Sequence, residues 1–239
     1  MTEINVKNKL LSTSFATLIA ECATLPICTA KTVYQNNNLT TINTIKLIYN
    51  QNKIKGFFFA SKPAFLSQIL STTSKFTIYE YIKNTRKTSK DDIINNSING
   101  GISGILGSLL THPIDVWKNF NQRNENYIKF LQNKSIPLIK KLYPGYSGNI
   151  SKNIVLYSSL YPIHDYYNNY FDSYLISAPL TTITVSFIVQ PFDYYKTIKM
   201  AGSKPKNFFR GFHLMLLRSL PHFMITMYLS NLFYNKFNN

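Results

Sequence analysis

The hexapeptide Pro113-Ile114-Asp115-Val116-Trp117-Lys118 ends an apolar stretch and has two counterparts elsewhere in the chain. Pro26-Ile27-Cys28-Thr29-Ala30-Lys31 begins 87 residues before it, and Pro191-Phe192-Asp193-Tyr194-Tyr195-Lys196 begins 78 residues after it. All three read as a proline, any residue, usually an acid, two further residues and a base. Self-similarity at a nearly constant period is the signature of a repeated architecture. The hexapeptides therefore predict a chain that is built from three copies of one unit.

A second landmark follows each hexapeptide and opens another apolar stretch. The three landmarks are Gly56-Phe57-Phe58-Phe59-Ala60, Leu142-Tyr143-Pro144-Gly145 and Phe208-Phe209-Arg210-Gly211. Each unit therefore consists of a helix that ends in a proline motif, a polar connector and a second helix. We expect one domain over residues 1–239, with repeats at residues 8–88, 89–170 and 171–239.

Six apolar stretches are long enough to suggest membrane helices, because a span needs about 20 mostly apolar residues. They cover residues 10–30, 63–79, 93–114, 153–171, 173–192 and 219–235. Three of them contain one ionisable residue each, namely Glu21, Lys75 and Asp165. Ionisable groups at membrane depth usually face a polar cavity. The pattern favours six spans around a cavity, and a soluble bundle of amphipathic helices remains the alternative.

The composition limits the class of partner. The chain has 26 Lys and Arg against 10 Asp and Glu, a formal charge of +16, with 45% apolar and 15% charged residues. This balance predicts either a small basic nucleic-acid binder or a membrane protein that handles anionic lipids or solutes. Two cysteines exclude a disulfide scaffold. No nucleophile–base–acid set and no metal-like His spacing is present, so we expect no enzyme, no metal site and no cofactor.

The triple motif resembles the signature of the mitochondrial carrier family, which is Pro-x-[Asp/Glu]-x-x-[Lys/Arg] repeated three times. The resemblance extends from about Leu10 to Lys236. It implies an all-α membrane protein with six transmembrane helices in three Pro-kinked pairs around a central cavity. Pro26, Pro113 and Pro191 would be the kinks, because proline removes a backbone hydrogen bond inside a helix.

The resemblance also implies a gate of ion pairs between neighbouring repeats. The acid and the base of one motif lie about 300° apart around a helix, so both can flank one face. We expect Lys31 to pair with Asp115, and Lys118 with Asp193. Lys196 should then face position 28, where Cys28 replaces the acid. Gln35 and Gln122 lie one turn after their lysines and resemble the glutamine braces of the family.

At the opposite end, the family carries an aromatic residue, an acid, two residues and a base on each even-numbered helix. Tyr79-Glu80-Tyr81-Ile82-Lys83 fits this pattern completely. The second repeat keeps the acid, Asp165, and the third repeat keeps neither charge. Lys83 and Asp165 are therefore the expected outer pair, and the outer gate should be weaker than the inner one.

The family's substrate contact positions fall on Ser67 with Gln68, on Lys152 with Asn153, and on Arg218. Lys75 lies two turns after Gln68 and can share its face. Three cations, Lys75, Lys152 and Arg218, would favour a solute with several negative charges. Tyr157 and Tyr161 are one turn apart, where they either stack on a base or pack between helices.

We therefore expect a monomeric carrier that exchanges nucleotides, deoxynucleotides among them, across the mitochondrial inner membrane by alternating access. Its partners would be an anionic small molecule and membrane lipids such as cardiolipin, and no nucleic acid. The stretch Lys196-Thr197-Ile198-Lys199-Met200-Ala201 departs from the Arg-Arg-Arg-Met-Met-Met of ADP/ATP exchangers. Glu21 stands where those exchangers have a base, so it either offsets the cations or takes up a proton.

Three other functions remain open. One is a carrier of another anion, such as a carboxylate or a phosphate-bearing cofactor. Another is a membrane scaffold of the same fold that has lost transport, which the missing acid at Cys28 and the single outer pair favour. The last is the soluble nucleic-acid binder, which a salt wash would extract, whereas a carrier needs detergent.

Overall fold

The structure is a computed structural model that describes residues 3–37, 39–86, 92–133, 135–171, 173–202 and 207–238. These residues form helices and turns, with no strand among them. The helices are α1 (Glu3–Asn36), α2 (Thr41–Asn52), α3 (Ser61–Arg86), α4 (Ile93–Gln122), α5 (Tyr127–Gln132), α6 (Leu138–Leu142), α7 (Tyr146–Phe171), α8 (Tyr174–Met200) and α9 (Phe212–Asn238). A short 3-10 helix, Lys53–Phe58, links α2 to α3. The predicted all-α class is confirmed.

The six long helices form a closed ring. Going around the ring, α1 packs on α3, α3 on α4, α4 on α7, α7 on α8 and α8 on α9, and an extensive contact between α9 and α1 closes it. The first and last helices meet near their free ends, where the Asn8 amide donates a hydrogen bond to the Phe237 carbonyl at 3.2 Å. The ring places the two ends of the chain side by side.

The ring is polar inside and apolar outside. Glu21, His112 and Gln190 are completely buried, whereas Leu11, Phe15 and Ile19 repeat every four residues along an exposed face of α1. A soluble bundle has the reverse arrangement, because its apolar stripe faces the core. The exposed apolar face therefore suits lipid, as a membrane carrier requires.

Hydropathy alone detects only part of this arrangement. Among the described helices, only α1, over Leu10–Asn36, is apolar and long enough to pass a test for a membrane span. Other long helices carry buried polar residues, such as Asn99, Ser103 and His112 of α4. These residues lower the average hydropathy of a helix whose outer face is apolar.

The three motif prolines lie inside continuous helices. Pro26 is within α1, Pro113 within α4 and Pro191 within α8. Each helix therefore continues past the end of its apolar stretch and includes the motif base. Membrane helices tolerate such prolines where neighbouring groups satisfy the freed backbone atoms. This continuity brings the motif acids and bases to one end of the ring, which we call the motif end.

Glycine lets the third connector lie close to the motif end of α1. Gly211 has a φ of +85°, and a Cβ there would lie 3.1 Å from Cγ of Gln35 in α1. Arg210 beside it donates hydrogen bonds to the carbonyls of Tyr34 and Leu39, both at 2.9 Å. The connector of the third repeat is thereby fastened to the first. No helix is described between α8 and α9, where residues 203–206 lie outside the described part.

Candidate functional site

A cavity of about 630 Å³ occupies the centre of the ring. All six long helices contribute to its wall. Its polar lining includes Thr13, Lys31, Gln68, Ser71, Thr72, Lys75, Ser103, Lys152, Asp193, Arg218, Ser219 and His222, and its apolar lining includes Phe76, Leu156, Leu160, Val185, Val189 and Phe223. The cavity is thus amphipathic, because its wall carries cations as well as aromatic and aliphatic side chains.

Four of the six predicted substrate contacts line this cavity, namely Gln68, Lys75, Lys152 and Arg218. Ser67 lies deeper, where its hydroxyl donates a 2.5 Å hydrogen bond to Asp115. Asn153 needs a correction, because it is buried in the contact between α7 and α4 and its amide lies 3.4 Å from the Gly104 carbonyl. Successive residues of a helix differ by about 100° in direction. Lys152 therefore reaches the cavity while Asn153 faces the neighbouring helix.

Three carboxylates and three motif lysines form a ring of ion pairs at the motif end. Lys31 pairs with Asp193, and the Lys196 ammonium lies 2.8 Å from Asp115. Lys118 pairs with Glu21 at 2.5 Å. Each pair joins two of the three helices that carry a motif, which are α1, α4 and α8. The pairs therefore tie the three repeats together, and Lys31 and Asp193 also line the cavity.

The predicted direction of pairing around this ring is wrong. The family pattern led us to expect Lys31 with Asp115 and Lys118 with Asp193, and the structure pairs Lys31 with Asp193 and Lys196 with Asp115. The spacing within a motif is the same for either direction around the ring. Only the order in which the three repeats are arranged decides which neighbour each lysine meets. As a result, Cys28 lies near Lys118 rather than Lys196.

Each carboxylate also faces a cation of the cavity. Asp193 accepts from Lys152 at 2.6 Å as well as from Lys31. Glu21 binds Arg218 at 2.8 Å through its second oxygen. The Asp115 carboxylate attracts Lys75. Six cationic side chains thus surround three carboxylates, so the group as a whole keeps an excess of positive charge.

Glu21 is the site residue whose partners the sequence did not identify. Its side chain is 0% exposed and contacts both Lys118 and Arg218. The Nδ1 atom of His222 lies 3.9 Å away, and this histidine also approaches the Thr24 hydroxyl at 3.3 Å. The available signal was an acid alone in an otherwise uncharged stretch of α1. That signal indicated a buried partner, but it did not identify which cations would meet it.

The two glutamines lie beside the ring and make other contacts. The Gln122 amide accepts from Thr32 at 2.8 Å and donates to the Cys28 sulfur at 3.1 Å. The Gln35 amide donates to the Arg210 carbonyl at 3.3 Å. Gln122 therefore borders the position where the motif acid is missing, and Gln35 helps to hold the third connector. Their role as braces of the ion pairs stays a prediction.

The opposite end of the cavity has a different chemistry. The Lys83 ammonium lies over the ring of Tyr79, 5.8 Å from its centre. The hydroxyls of Thr13 and Ser230 are 3.3 Å apart, which joins α1 to α9 without charges. Asp165, Tyr157 and Tyr161 lie outside the residues whose side chains are described. The outer pair of Lys83 with Asp165 therefore remains a prediction.

Comparison with known proteins agrees with this architecture. A sequence model described as mitochondrial carrier protein matches residues 2–90. A mitochondrial carrier-like protein of Acanthamoeba polyphaga mimivirus is 40% identical over 223 residues, which cover 90% of this chain and 91% of that protein. A match of this length includes all three hexapeptides. With its ring of six long helices, the chain belongs to the mitochondrial carrier family, whose members carry solutes across membranes.

Proposed function

We propose that this carrier exchanges nucleotides, deoxynucleotides among them, across the mitochondrial inner membrane by alternating access. The observation that carries the proposal is the convergence of Lys75, Lys152 and Arg218 on one central cavity. A guanidinium binds phosphate in a bidentate fork, and lysine ammonium groups add point charges. A solute with several negative charges on one part and a ring on another matches this wall.

The size and the lining of the cavity support a nucleotide-sized solute. Its volume of about 630 Å³ lies within the usual range for small-molecule sites. Phe76, Leu156, Leu160 and Phe223 add an apolar region to the cavity wall. We propose that the phosphates bind the cations and that the base lies against this apolar region.

The shared carboxylates suggest how binding opens the motif end. Asp193 pairs with both Lys152 and Lys31, and Asp115 pairs with Lys196 and also attracts Lys75. An anion that binds Lys75 and Lys152 competes with these carboxylates and weakens the attraction across the ring. Buried ion pairs are stable only when well paired. A solute that changes their partners can therefore bias the carrier toward the state that is open at the motif end.

The proposed setting is a monomer in the inner mitochondrial membrane. The chain carries 26 Lys and Arg, and Lys46, Lys53 and Lys55 are exposed around the first connector. Positive side chains near a membrane surface attract anionic lipids. We propose that lipids with several negative charges, such as cardiolipin, bind at the connectors.

The experiment is transport by the purified protein in liposomes. We expect labelled nucleotides or deoxynucleotides to enter only when the liposomes contain unlabelled nucleotide, because exchange needs a counter-substrate. Uptake into empty liposomes at the same rate would contradict exchange. Dicarboxylates and a phosphate-bearing cofactor should be tested in the same preparation. Uptake of these anions without nucleotide uptake would indicate a carrier of another anion, and folded protein without any uptake would indicate a scaffold.

A further inference from the structure

The first motif lacks an acid, yet Lys118 of the second motif still has a carboxylate partner. Cys28 stands two residues after Pro26, where the other two motifs have Asp115 and Asp193. The Lys118 ammonium lies 2.5 Å from Glu21, which is on the same helix as Cys28. Glu21 precedes Cys28 by seven residues, which is two helical turns and about 10 Å along the axis on nearly the same face.

We infer that Glu21 replaces the missing motif acid as the partner of Lys118, and that it thereby makes Arg218 part of the gate. The inference rests on the proposed function only in treating the ring of ion pairs as a gate. It concerns a residue outside the motif and needs no particular substrate.

The arrangement of the three carboxylates carries this inference. Asp193 of α8 pairs with a lysine of α1 and a cation of α7, and Asp115 of α4 pairs with a lysine of α8 and faces a cation of α3. Glu21 of α1 pairs with a lysine of α4 and a cation of α9. In each case the lysine comes from the next motif helix along the chain, with α1 following α8. The cation comes from the helix that precedes the acid's helix in the ring. Glu21 therefore has the same kinds of neighbours as the two motif acids.

Because the acid is at Glu21 rather than at position 28, the third ion pair of the ring, Glu21 with Lys118, also involves a cavity cation. Glu21 uses one oxygen for Lys118 and the other for Arg218, and its side chain has no exposed surface. A solute anion that binds Arg218 competes with the same carboxylate that holds Lys118 for the charge of the guanidinium. The third link therefore lies within the solute-binding region, and anion binding at Arg218 weakens it directly.

Cys28 provides a probe of this link that requires no substrate. The chain has two cysteines, and Cys28 is 6% exposed whereas Cys22 is exposed on the outer face. In a Cys22→Ser background, a membrane-impermeant thiol reagent that is added at the motif end reports whether the ring has opened at Cys28. We expect Glu21→Gln to raise the labelling rate about tenfold or more, because a charged hydrogen bond is lost.

Two controls make the labelling test specific. Lys118→Gln should raise the rate as much as Glu21→Gln, because either change removes the same pair. Asp92→Asn removes the carboxylate that caps the start of α4, four helical turns or more from Lys118, and should leave the rate unchanged. A Glu21→Gln variant that is labelled at the wild-type rate would overturn the inference.

Moving the acid back to its motif position tests the inference by stability. Glu21→Gln should lower the melting temperature in detergent, and adding Cys28→Glu should recover most of the loss, because Cys28 lies near Lys118. Glu21→Gln with Cys28→Gln is the matched control and should recover little. Equal melting temperatures for these two double variants would contradict the replacement. Neither readout involves transport, so a failure of the nucleotide proposal would remain distinguishable.

Discussion

Among single residues, Arg218 offers the sharpest test of the proposed solute site. It lines the cavity and binds Glu21 at 2.8 Å. We expect Arg218→Ala to abolish nucleotide uptake, and Arg218→Lys to keep some uptake at lower apparent affinity, because lysine retains the charge without the bidentate fork. Loss of a charged hydrogen bond costs about 1.5–3 kcal/mol, or roughly ten- to hundredfold in binding. Uptake is to be measured against nucleotide concentration and normalised to reconstituted protein.

Arg86→Ala is a suitable control for the loss of one arginine. Arg86 ends α3, where it donates to Asn99 at 3.1 Å, and it is not among the cavity-lining residues that the structure describes. Its replacement should leave the apparent affinity unchanged. If Arg218→Ala lowered protein yield and the surviving protein kept its wild-type affinity, Arg218 would anchor the helix rather than the solute.

A charge exchange tests which residues are partners in the ring. Asp115 and Lys196 are 2.8 Å apart, so Asp115→Lys and Lys196→Asp should each abolish transport, and the double variant should recover part of it. The matched control is Lys118→Asp with Asp193→Lys, which exchanges two residues that are not paired. We expect no recovery in that control, as measured by uptake in liposomes. Recovery in the control alone would instead support the pairs expected from the family pattern, in which Lys118 meets Asp193.

At the scale of helices, Gly107 lets α3 and α4 approach each other at the cavity. A Cβ at Gly107 would lie 2.5 Å from Cγ of Lys75 and 3.3 Å from its backbone nitrogen. We expect Gly107→Ala to lower the melting temperature in detergent and to weaken solute binding, because Lys75 or the whole helix must move. Overpacking of this kind costs about 1–3 kcal/mol.

The same helix offers a matched control at Gly101. Nothing lies within 4 Å of a Cβ at that position. Gly101→Ala should therefore leave binding unchanged and keep or raise the melting temperature, since alanine is the better helix former by about 1 kcal/mol. If the two alanine variants melted at the same temperature, the close approach at Gly107 would not be important for stability.

The positions of the long helices could be predicted from the apolar stretches, and their ends could not. The stretch 93–114 lies inside α4, which the structure extends to Gln122. Hydropathy falls at Asp115 and Lys118 because these side chains are charged, but the backbone stays helical since their partners are on neighbouring helices. The ends therefore depend on tertiary contacts that the local pattern does not contain.

For the whole molecule, the closed ring predicts that both ends of the chain lie on the same side of the membrane. Asn8 of α1 meets Phe237 of α9 at 3.2 Å, and the connectors that contain α2, α5 and α6 follow the motif ends of α1 and α4. We expect tags at both termini to react with an impermeant reagent from one side, and a cysteine placed in the α2 connector to react from the other. Termini that reacted from opposite sides would contradict six spans.

By itself, the sequence determined that the chain repeats three times, and that each repeat carries a proline motif with a base at the end of an apolar stretch. These properties depend on residue type and on spacing along one helix, which local geometry decides. The resemblance to the carrier family indicated Lys152 and Arg218, and helical spacing from Gln68 indicated Lys75. The structure places all three on the cavity wall.

Only the tertiary structure decided which residues meet. It paired Lys31 with Asp193 and turned Asn153 toward α4, and it joined Glu21 to Lys118 and Arg218. The physical reason is that an ion pair joins residues that are far apart in the sequence. Spacing within each motif is compatible with either direction around the ring, so the packing of six helices selects the partner of every charge.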